Sequence, residues 1–135
     1  MDEELPYFDR PWVLVIDDDP EFRALVSTLL QQAGIAIACA ADGAQAVDSC
    51  VRARRPPAAI LLDLTLPKLD GEAALAEMRR AHGNEGELAV VLVSGALRPG
   101  DLESVAHRLG ALAALTKPCD MDELLATVKR MLPRR

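Results

Sequence analysis

Short apolar runs alternate with longer amphipathic stretches along the whole chain. The five apolar runs are Trp12–Ile16, Ile35–Ala40, Ala58–Leu62, Leu88–Val93 and Leu112–Leu115. They lack the polar alternation of a half-exposed strand, and near-continuous apolar runs are typical of strands that are buried on both faces of a parallel sheet. The pattern therefore predicts five parallel strands covered by helices.

Helix-start signals precede each of the amphipathic stretches that separate and follow these runs. An aspartate followed by proline, or by a capping-box pattern, is the commonest form of the signal. The predicted starts are Asp19-Pro20, Asp42–Gln45, Asp70–Glu72, Arg98–Asp101 and Asp120–Glu123. Gly34 and Gly110 stand where two helices should end. Since parallel crossovers need helices and are right-handed, the fold class predicted is α/β, a doubly wound (βα)5 sandwich.

Length and composition limit the chain to one folded domain. It has 135 residues, of which 50% are hydrophobic and 27% are charged, as in ordinary folded domains. Its four aromatic residues are Tyr7, Phe8, Trp12 and Phe22, so the core must consist of Ala, Val, Leu and Ile. We expect residues 1–10 to form a short acidic N-terminal extension and residues 11–135 to form the domain.

The charge balance and the cysteine content exclude several classes of function. A net charge of -6 repels phosphate backbones, so no direct nucleic-acid binding is expected. The three cysteines form no CxxC pair, which argues against a disulfide framework or zinc site and fits a reducing compartment. The uncharged stretch Ala24 to Ala41 is divided by Gly34 into a helix and a strand, so no membrane insertion is expected. The acidic N-terminus is no secretory signal, and the expected location is cytoplasmic.

Polar side chains follow four of the five predicted strands. These strand ends carry Asp17-Asp18-Asp19, Asp63, Ser94 and Lys117. Ligands of open α/β sheets bind at the carboxyl ends of the strands, so these groups should meet. Clustered carboxylates repel one another unless a cation neutralises them, and hard oxygen ligands favour Mg2+. A hydroxyl and an ammonium group nearby suit an anion with several oxygens, which indicates a phosphoryl-transfer pocket with a carboxylate nucleophile.

Taken singly, most of these residues have ordinary structural explanations. Asp19 alone is best explained as an N-cap, Ser94 as a hydrogen-bonded hydroxyl and Lys117 as a solvated surface lysine. Asp63 differs, because a carboxylate at the end of an apolar strand has few structural explanations. The functional interpretation depends on the whole set lying at one edge of one sheet.

Four segments resemble the motifs of a known family. They are Val13–Pro20, Leu61–Gly71, Val93–Ala96 and Thr116–Pro118, in order and with the right spacing. They are similar to the receiver domain of two-component response regulators, and to its single-domain, chemotaxis-regulator-like members. The resemblance covers Trp12 to Leu132, and it implies a flavodoxin-like sheet in the strand order 2-1-3-4-5.

The resemblance implies a role for each matching residue at the acidic end of the site. Asp63 matches the phosphoacceptor, and it also belongs to the metal site. Asp18 matches the direct Mg2+ ligand, and Asp17 matches its acidic neighbour, which acts more through water. The backbone carbonyl of Thr65 would complete the protein's share of the metal site.

The remaining matches concern the phosphoryl group and the switch. Ser94, followed by Gly95, matches the hydroxyl that binds the phosphoryl oxygen, and Lys117 matches the lysine that pairs with it. The Lys117–Pro118 peptide would be cis. Ala114 departs from the family because it stands where receivers usually carry a switch aromatic, and the residue after the proline, often aromatic in relatives, is Cys119.

The resemblance implies that the chain accepts a phosphoryl group from a sensor histidine kinase or histidine phosphotransfer protein and signals to an unknown downstream protein. It would be no enzyme beyond Mg2+-dependent self-phosphorylation and slow self-dephosphorylation. Two alternatives stay open: a non-phosphorylated pseudo-receiver, and a haloacid-dehalogenase-like phosphatase using Asp17 and Asp19. The start at Met1 and the basic C-terminus fit a stand-alone protein, and an excised fragment would look much the same.

Overall fold

A computed structural model describes residues 10–64, 68–81, 88–95 and 97–133. Five strands alternate with five helices in this part of the chain. The strands are β1 Trp12–Ile16, β2 Ala36–Ala40, β3 Ala59–Asp63, β4 Ala89–Ser94 and β5 Ala113–Thr116. The helices are α1 Pro20–Gln32, α2 Gly43–Arg52, α3 Lys68–Ala81, α4 Pro99–Leu109 and α5 Met121–Met131.

The strands form one parallel sheet in the order β2-β1-β3-β4-β5, which confirms the predicted (βα)5 topology. The direction of winding changes between β1 and β3, which are hydrogen-bonded neighbours. The carboxyl ends of these two strands therefore form the switch point at which such sheets bind ligands.

The strand boundaries differ slightly from the predicted ones. β2, β3, β4 and β5 each begin one residue later than their apolar runs, and the last three also end one residue later. The amide of Ile35 still bonds the Leu30 carbonyl at the end of α1, so it precedes the ladder. Asp63 and Ser94 belong to the strands, because Asp63 pairs with Val93 and Ser94 pairs with Thr116. The polar strand ends are thus held by the sheet itself.

Two apolar layers cover the sheet. Side chains such as Leu14, Ile60 and Leu92 pack against α2, α3 and α4 on one face. Val15 and Leu61 pack against α1 and α5 on the other. Every β1 side chain is almost fully buried, as a strand covered on both faces requires. The layers are almost wholly aliphatic, and each buried Leu, Ile or Val contributes roughly 1.5–3 kcal/mol.

The helix ends agree with the capping signals, with one exception. Asp19, Asp42 and Asp120 accept hydrogen bonds from backbone amides as the N-caps of α1, α2 and α5. Gly34 and Gly110 adopt φ values of 80° and 73°, the left-handed conformation that glycine tolerates best. The predicted start of α3 at Asp70 is wrong, because the helix begins at Lys68. A carboxylate is favourable anywhere in the first turn, so Asp70 does not mark its first residue.

None of the helices in the described ranges is long and apolar enough to cross a membrane.

Candidate functional site

Three carboxylates meet at the carboxyl ends of β1 and β3. Asp17, Asp18 and Asp63 each place one oxygen within 4.8 Å of the others. Asp17 and Asp63 are buried and Asp18 is exposed. The neighbouring positions of β1 and β3 explain this convergence, since the first two residues follow one strand and the third ends the other.

Asp17 is fixed by contacts from three directions. Its Oδ1 accepts a hydrogen bond from the Asp19 amide at 2.9 Å, and its own amide donates to the Ala40 carbonyl at 3.0 Å. The Arg23 guanidinium donates to the Asp17 carbonyl at 2.7 Å. The backbone of Asp17 is therefore held by β2 and α1, and its carboxylate is oriented by the Asp19 amide.

Lys117 reaches the acidic cluster from the end of β5. Its Nζ lies 2.7 Å from Asp17 Oδ2 and 3.4 Å from Asp63 Oδ2. The same nitrogen lies 4.2 Å from the centroid of the Phe22 ring, within the range of a cation–π contact. The ammonium group is thus held by two carboxylates and one aromatic face.

These contacts set the protonation of the pair. Burial lowers the pKa of Lys117, but the hydrogen bond with Asp17 and the charges of Asp63 and Asp17 outweigh burial, so the pKa is raised. Burial is also the largest influence on Asp17 and raises its pKa, and the charge of Asp63 adds to that. The hydrogen bonds from Lys117 and the Asp19 amide oppose this increase without cancelling it. Lys117 stays charged, and the cluster favours a further cation.

Backbone contacts bring the ends of β4 and β5 to the same place. Ser94 is the buried last residue of β4, and its carbonyl accepts a hydrogen bond from the Lys117 amide at 2.8 Å. A Cβ at Gly95 would lie 3.3 Å from the Lys117 Cβ, so a larger residue at this position would press on the lysine. The Lys117–Pro118 peptide is cis.

Three positions inferred from the resemblance have different outcomes. Thr65 lies outside the described residues, so the structure places no carbonyl of Thr65 at the site. Ala114 lies in β5, partly buried against the layer formed by α2, α3 and α4. Cys119 is also partly buried, but on the α1 and α5 side of the sheet.

Asp19 serves as a helix cap. Its side chain accepts the Glu21 amide at 3.0 Å, and the residue is exposed. It is absent from the carboxylate group formed by Asp17, Asp18 and Asp63 in the described part of the chain. This arrangement supplies the ordinary structural explanation of Asp19 as the cap of α1.

Sequence reasoning missed two residues of the site, Phe22 and Arg23. Both lie in the first turn of α1, and neither belongs to a motif. The available signal was composition: Phe22 is the one aromatic residue of the sequence that follows β1. An isolated aromatic ring at the start of a helix next to a charged site is a candidate for contact with a cation.

The family follows from a match that covers most of the chain. Residues 13–129 match the response regulator receiver domain, and the chain belongs to this family. Sporulation initiation phosphotransferase F of Bacillus subtilis is 32% identical over 121 residues, which cover 90% of this chain and 93% of that protein. The transcriptional regulator RpaA of Synechocystis is 35% identical over 126 residues, which cover 92% of this chain and 50% of that protein. The chain spans about half the length of the first curated relatives that it matches.

Solved structures agree with the fold. A chemotaxis protein CheY4 of Vibrio cholerae is 28% identical with a TM-score of 0.77, and the match covers 91% of this chain and 99% of that one. The receiver domain of a Pseudomonas aeruginosa sensor histidine kinase, solved with magnesium in its active-site cleft, is 30% identical with a TM-score of 0.74. That match covers 90% of this chain and 97% of that one.

Proposed function

We propose that this receiver domain accepts a phosphoryl group on Asp63, in a Mg2+-dependent reaction, from a sensor histidine kinase or a histidine phosphotransfer protein. The observation that supports this most is the position of the Lys117 ammonium group, which contacts the buried carboxylates of Asp17 and Asp63. A positive charge fixed beside a carboxylate nucleophile can stabilise an incoming phosphoryl group.

The donor set fits magnesium. Asp17, Asp18 and Asp63 offer hard carboxylate oxygens close together, one of them from an exposed residue, and Mg2+ in proteins is usually held by one or two carboxylates and several waters. These three residues would hold the ion, joined by the Thr65 carbonyl that the resemblance implies. Bound magnesium neutralises charge and polarises a phosphoryl oxygen.

The residues of the chain then perform a simple displacement. An Asp63 carboxylate oxygen attacks phosphorus and forms an acyl phosphate, while the bond from phosphorus to the donor's imidazole nitrogen breaks. The imidazole keeps the electron pair of that bond. Lys117 balances the charge on one phosphoryl oxygen, and the Ser94 hydroxyl donates to another.

Intact-mass measurement after incubation with acetyl phosphate tests the proposal directly. The chain should gain one phosphoryl group in magnesium and none in EDTA, and Asp63→Asn should gain none. Asp48→Asn is the matched control, because Asp48 is an exposed carboxylate on α2. Equal labelling of Asp63→Asn, or labelling in EDTA, would overturn the assignment.

The same preparation separates the alternatives. A pseudo-receiver would gain no phosphoryl group under any condition. A phosphatase would turn over p-nitrophenyl phosphate continuously, whereas a receiver that only phosphorylates itself would not. The phosphorylated domain would signal through contacts with a downstream protein, and a change of binding on phosphorylation would support this.

A further inference from the structure

Two adjacent clefts lie at the amino-terminal edge of the sheet. One, of about 270 Å³, lies between the end of α1, the residues before β1 and the end of α5. The other, of about 440 Å³, lies between the segment before β3, the start of β4 and the end of α5. Pro11 and Pro133 line both. Since β1 spans about 17 Å, the clefts are remote from the acidic site at its other end.

The charge of these clefts is opposite to that of the chain as a whole. The charged residues that line them are Arg10, Arg55 and Lys129, and within the described ranges no acidic residue lines either cleft. The net charge of the chain is -6. Lys129 lies in the last turn of α5, where a cation complements the helix dipole, but Arg10 and Arg55 lie outside the helices. Helix stability therefore does not explain the basic rim.

The floor of the second cleft is mostly apolar, and hydrogen bonds to β1 fix it. Pro56 and Pro57 form part of the second cleft. The segment that carries them is tied to β1, because the Trp12 indole donates to the Arg55 carbonyl at 3.1 Å and the Ala58 amide donates to the Trp12 carbonyl at 2.7 Å. A preformed apolar floor with a cationic rim is complementary to a segment that is both acidic and hydrophobic. Because the floor is fixed before binding, no entropy is lost in ordering it.

We propose that the paired clefts bind residues 1–9 of the same chain, which lie outside the described residues. Their sequence, MDEELPYFD, contains four carboxylates, no lysine or arginine, and the apolar side chains of Leu5, Tyr7 and Phe8. The segment is joined covalently to Arg10, which lines the first cleft. Nine residues reach at most about 30 Å, enough to cover both clefts. The carboxylates meet the cationic rim, and the aromatic rings cover the apolar floor.

Amide chemical shifts of the full-length, isotope-labelled chain test this proposal. Replacing Asp2, Glu3 and Glu4 together by lysine should shift the amides of cleft residues such as Gly34 and Ala89 and leave that of Asp63 in place. High salt should reproduce the change in the parent chain, because the attraction is electrostatic. Arg10→Glu with Arg55→Glu should shift the amides of residues 1–9, and Arg98→Glu, an exposed cation at the other end of the molecule, should not.

The measured shifts distinguish three cases: the clefts bind residues 1–9 of the same chain, they bind those of a second copy, or they bind neither. Shifts that do not depend on protein concentration support binding within one chain. Shifts that grow with concentration would assign the clefts to the segment of a second copy, and unchanged cleft amides in the lysine variant would exclude docking; either result overturns the proposal. The lysine variant alters only residues beyond the described fold, so its core amides should keep their positions.

Discussion

The Lys117 ammonium nitrogen lies 2.7 Å from Asp17 Oδ2, a contact between residues 100 positions apart in the chain. It joins the end of β5 to the end of β1 across the carboxyl edge of the sheet. The lysine is therefore a structural partner of a buried carboxylate as well as a candidate ligand of a phosphoryl group.

Replacing Lys117 by methionine should destabilise the metal-free protein. The change leaves Asp17 and Asp63 near each other without their cation, and loss of one partner of such a partly buried pair costs about 1–3 kcal/mol. Urea denaturation in EDTA measures the effect. Arg108→Met, which breaks an exposed pair with Glu72, should cost less stability than the Lys117 substitution. Equal effects of the two substitutions would contradict the prediction.

Asp17→Asn should stabilise the metal-free protein at neutral pH. The folded-state pKa of Asp17 is raised, chiefly by burial, above the ordinary value of 3.8. Ionisation of Asp17 therefore lowers the free energy of unfolding. As pH rises from 3.8 through the raised pKa, the parent chain should become less stable than the variant. Denaturation curves between these limits test the sign. Magnesium should stabilise the parent chain. The Asp17→Asn variant should lose most of this stabilisation, whereas the Asp48→Asn variant should retain it.

Cys50 should make the protein less stable in alkali. The side chain is fully buried, and burial raises the pKa of its thiol from 9.0 to about 11. Between these values the unfolded chain loses the proton and the folded chain keeps it, so the free energy of unfolding should fall as pH rises. Cys50→Ala should reduce this decline, and Cys39→Ala, at an exposed thiol, should not. Thiol reagents should modify Cys39 in the native protein and Cys50 only after unfolding.

The phosphorylated protein should lose its phosphoryl group slowly. In this family, the side chains two residues after the acceptor and two after the switch hydroxyl tune the attack of water. Here they are Thr65 and Ala96, and neither offers a carboxylate or an amide to position a water molecule. Mass spectrometry over time measures the lifetime, which Thr65→Asn should shorten. A lifetime of seconds in magnesium would contradict this expectation.

Activation should change α4 more than β5. Arg98, the N-cap of α4, makes no side-chain capping bond within the described structure, whereas the other end of α4 is held by Gly110 and by the pair of Arg108 with Glu72 on α3. Ala114 offers no ring that could rotate in β5. Amide hydrogen exchange with and without beryllofluoride should therefore differ at residues 94–98 and along α4, with little difference at β5. Protection confined to the pocket would exclude a switch in α4.

Much of this fold is visible in the sequence because strands buried on both faces leave continuous apolar runs. The five runs locate the strands to within one residue, and the capping aspartates locate three helix starts. The start of α3 predicted at Asp70 is wrong, because an aspartate in the first turn of a helix and an aspartate at its N-cap look alike in the sequence. Local patterns predict which segments form helices and strands better than they predict the first and last residue of each.

The site was predictable as far as topology determines it. Asp17 and Asp18 follow β1 and Asp63 ends the neighbouring β3, so their meeting follows from the strand order. The contacts of Phe22 with Lys117 and of Arg23 with the Asp17 carbonyl depend on how α1 packs over the end of β1. No periodicity or motif encodes that packing, so the sequence does not predict these contacts.

The acidic cluster and the cationic clefts lie at opposite ends of the sheet, so displacement of residues 1–9 from the clefts would leave the two ends with opposite local charge. A partner with a charged surface would therefore turn the domain before touching it, and the rate of encounter should depend on ionic strength. A phosphoryl group carries about 1.5 to 2 negative charges, and because the acyl phosphate replaces the carboxylate charge of Asp63, phosphorylation would add about 0.5 to 1 negative charge to the end that is already negative. The modification would then strengthen the orienting field at a distance, independently of any movement of α4.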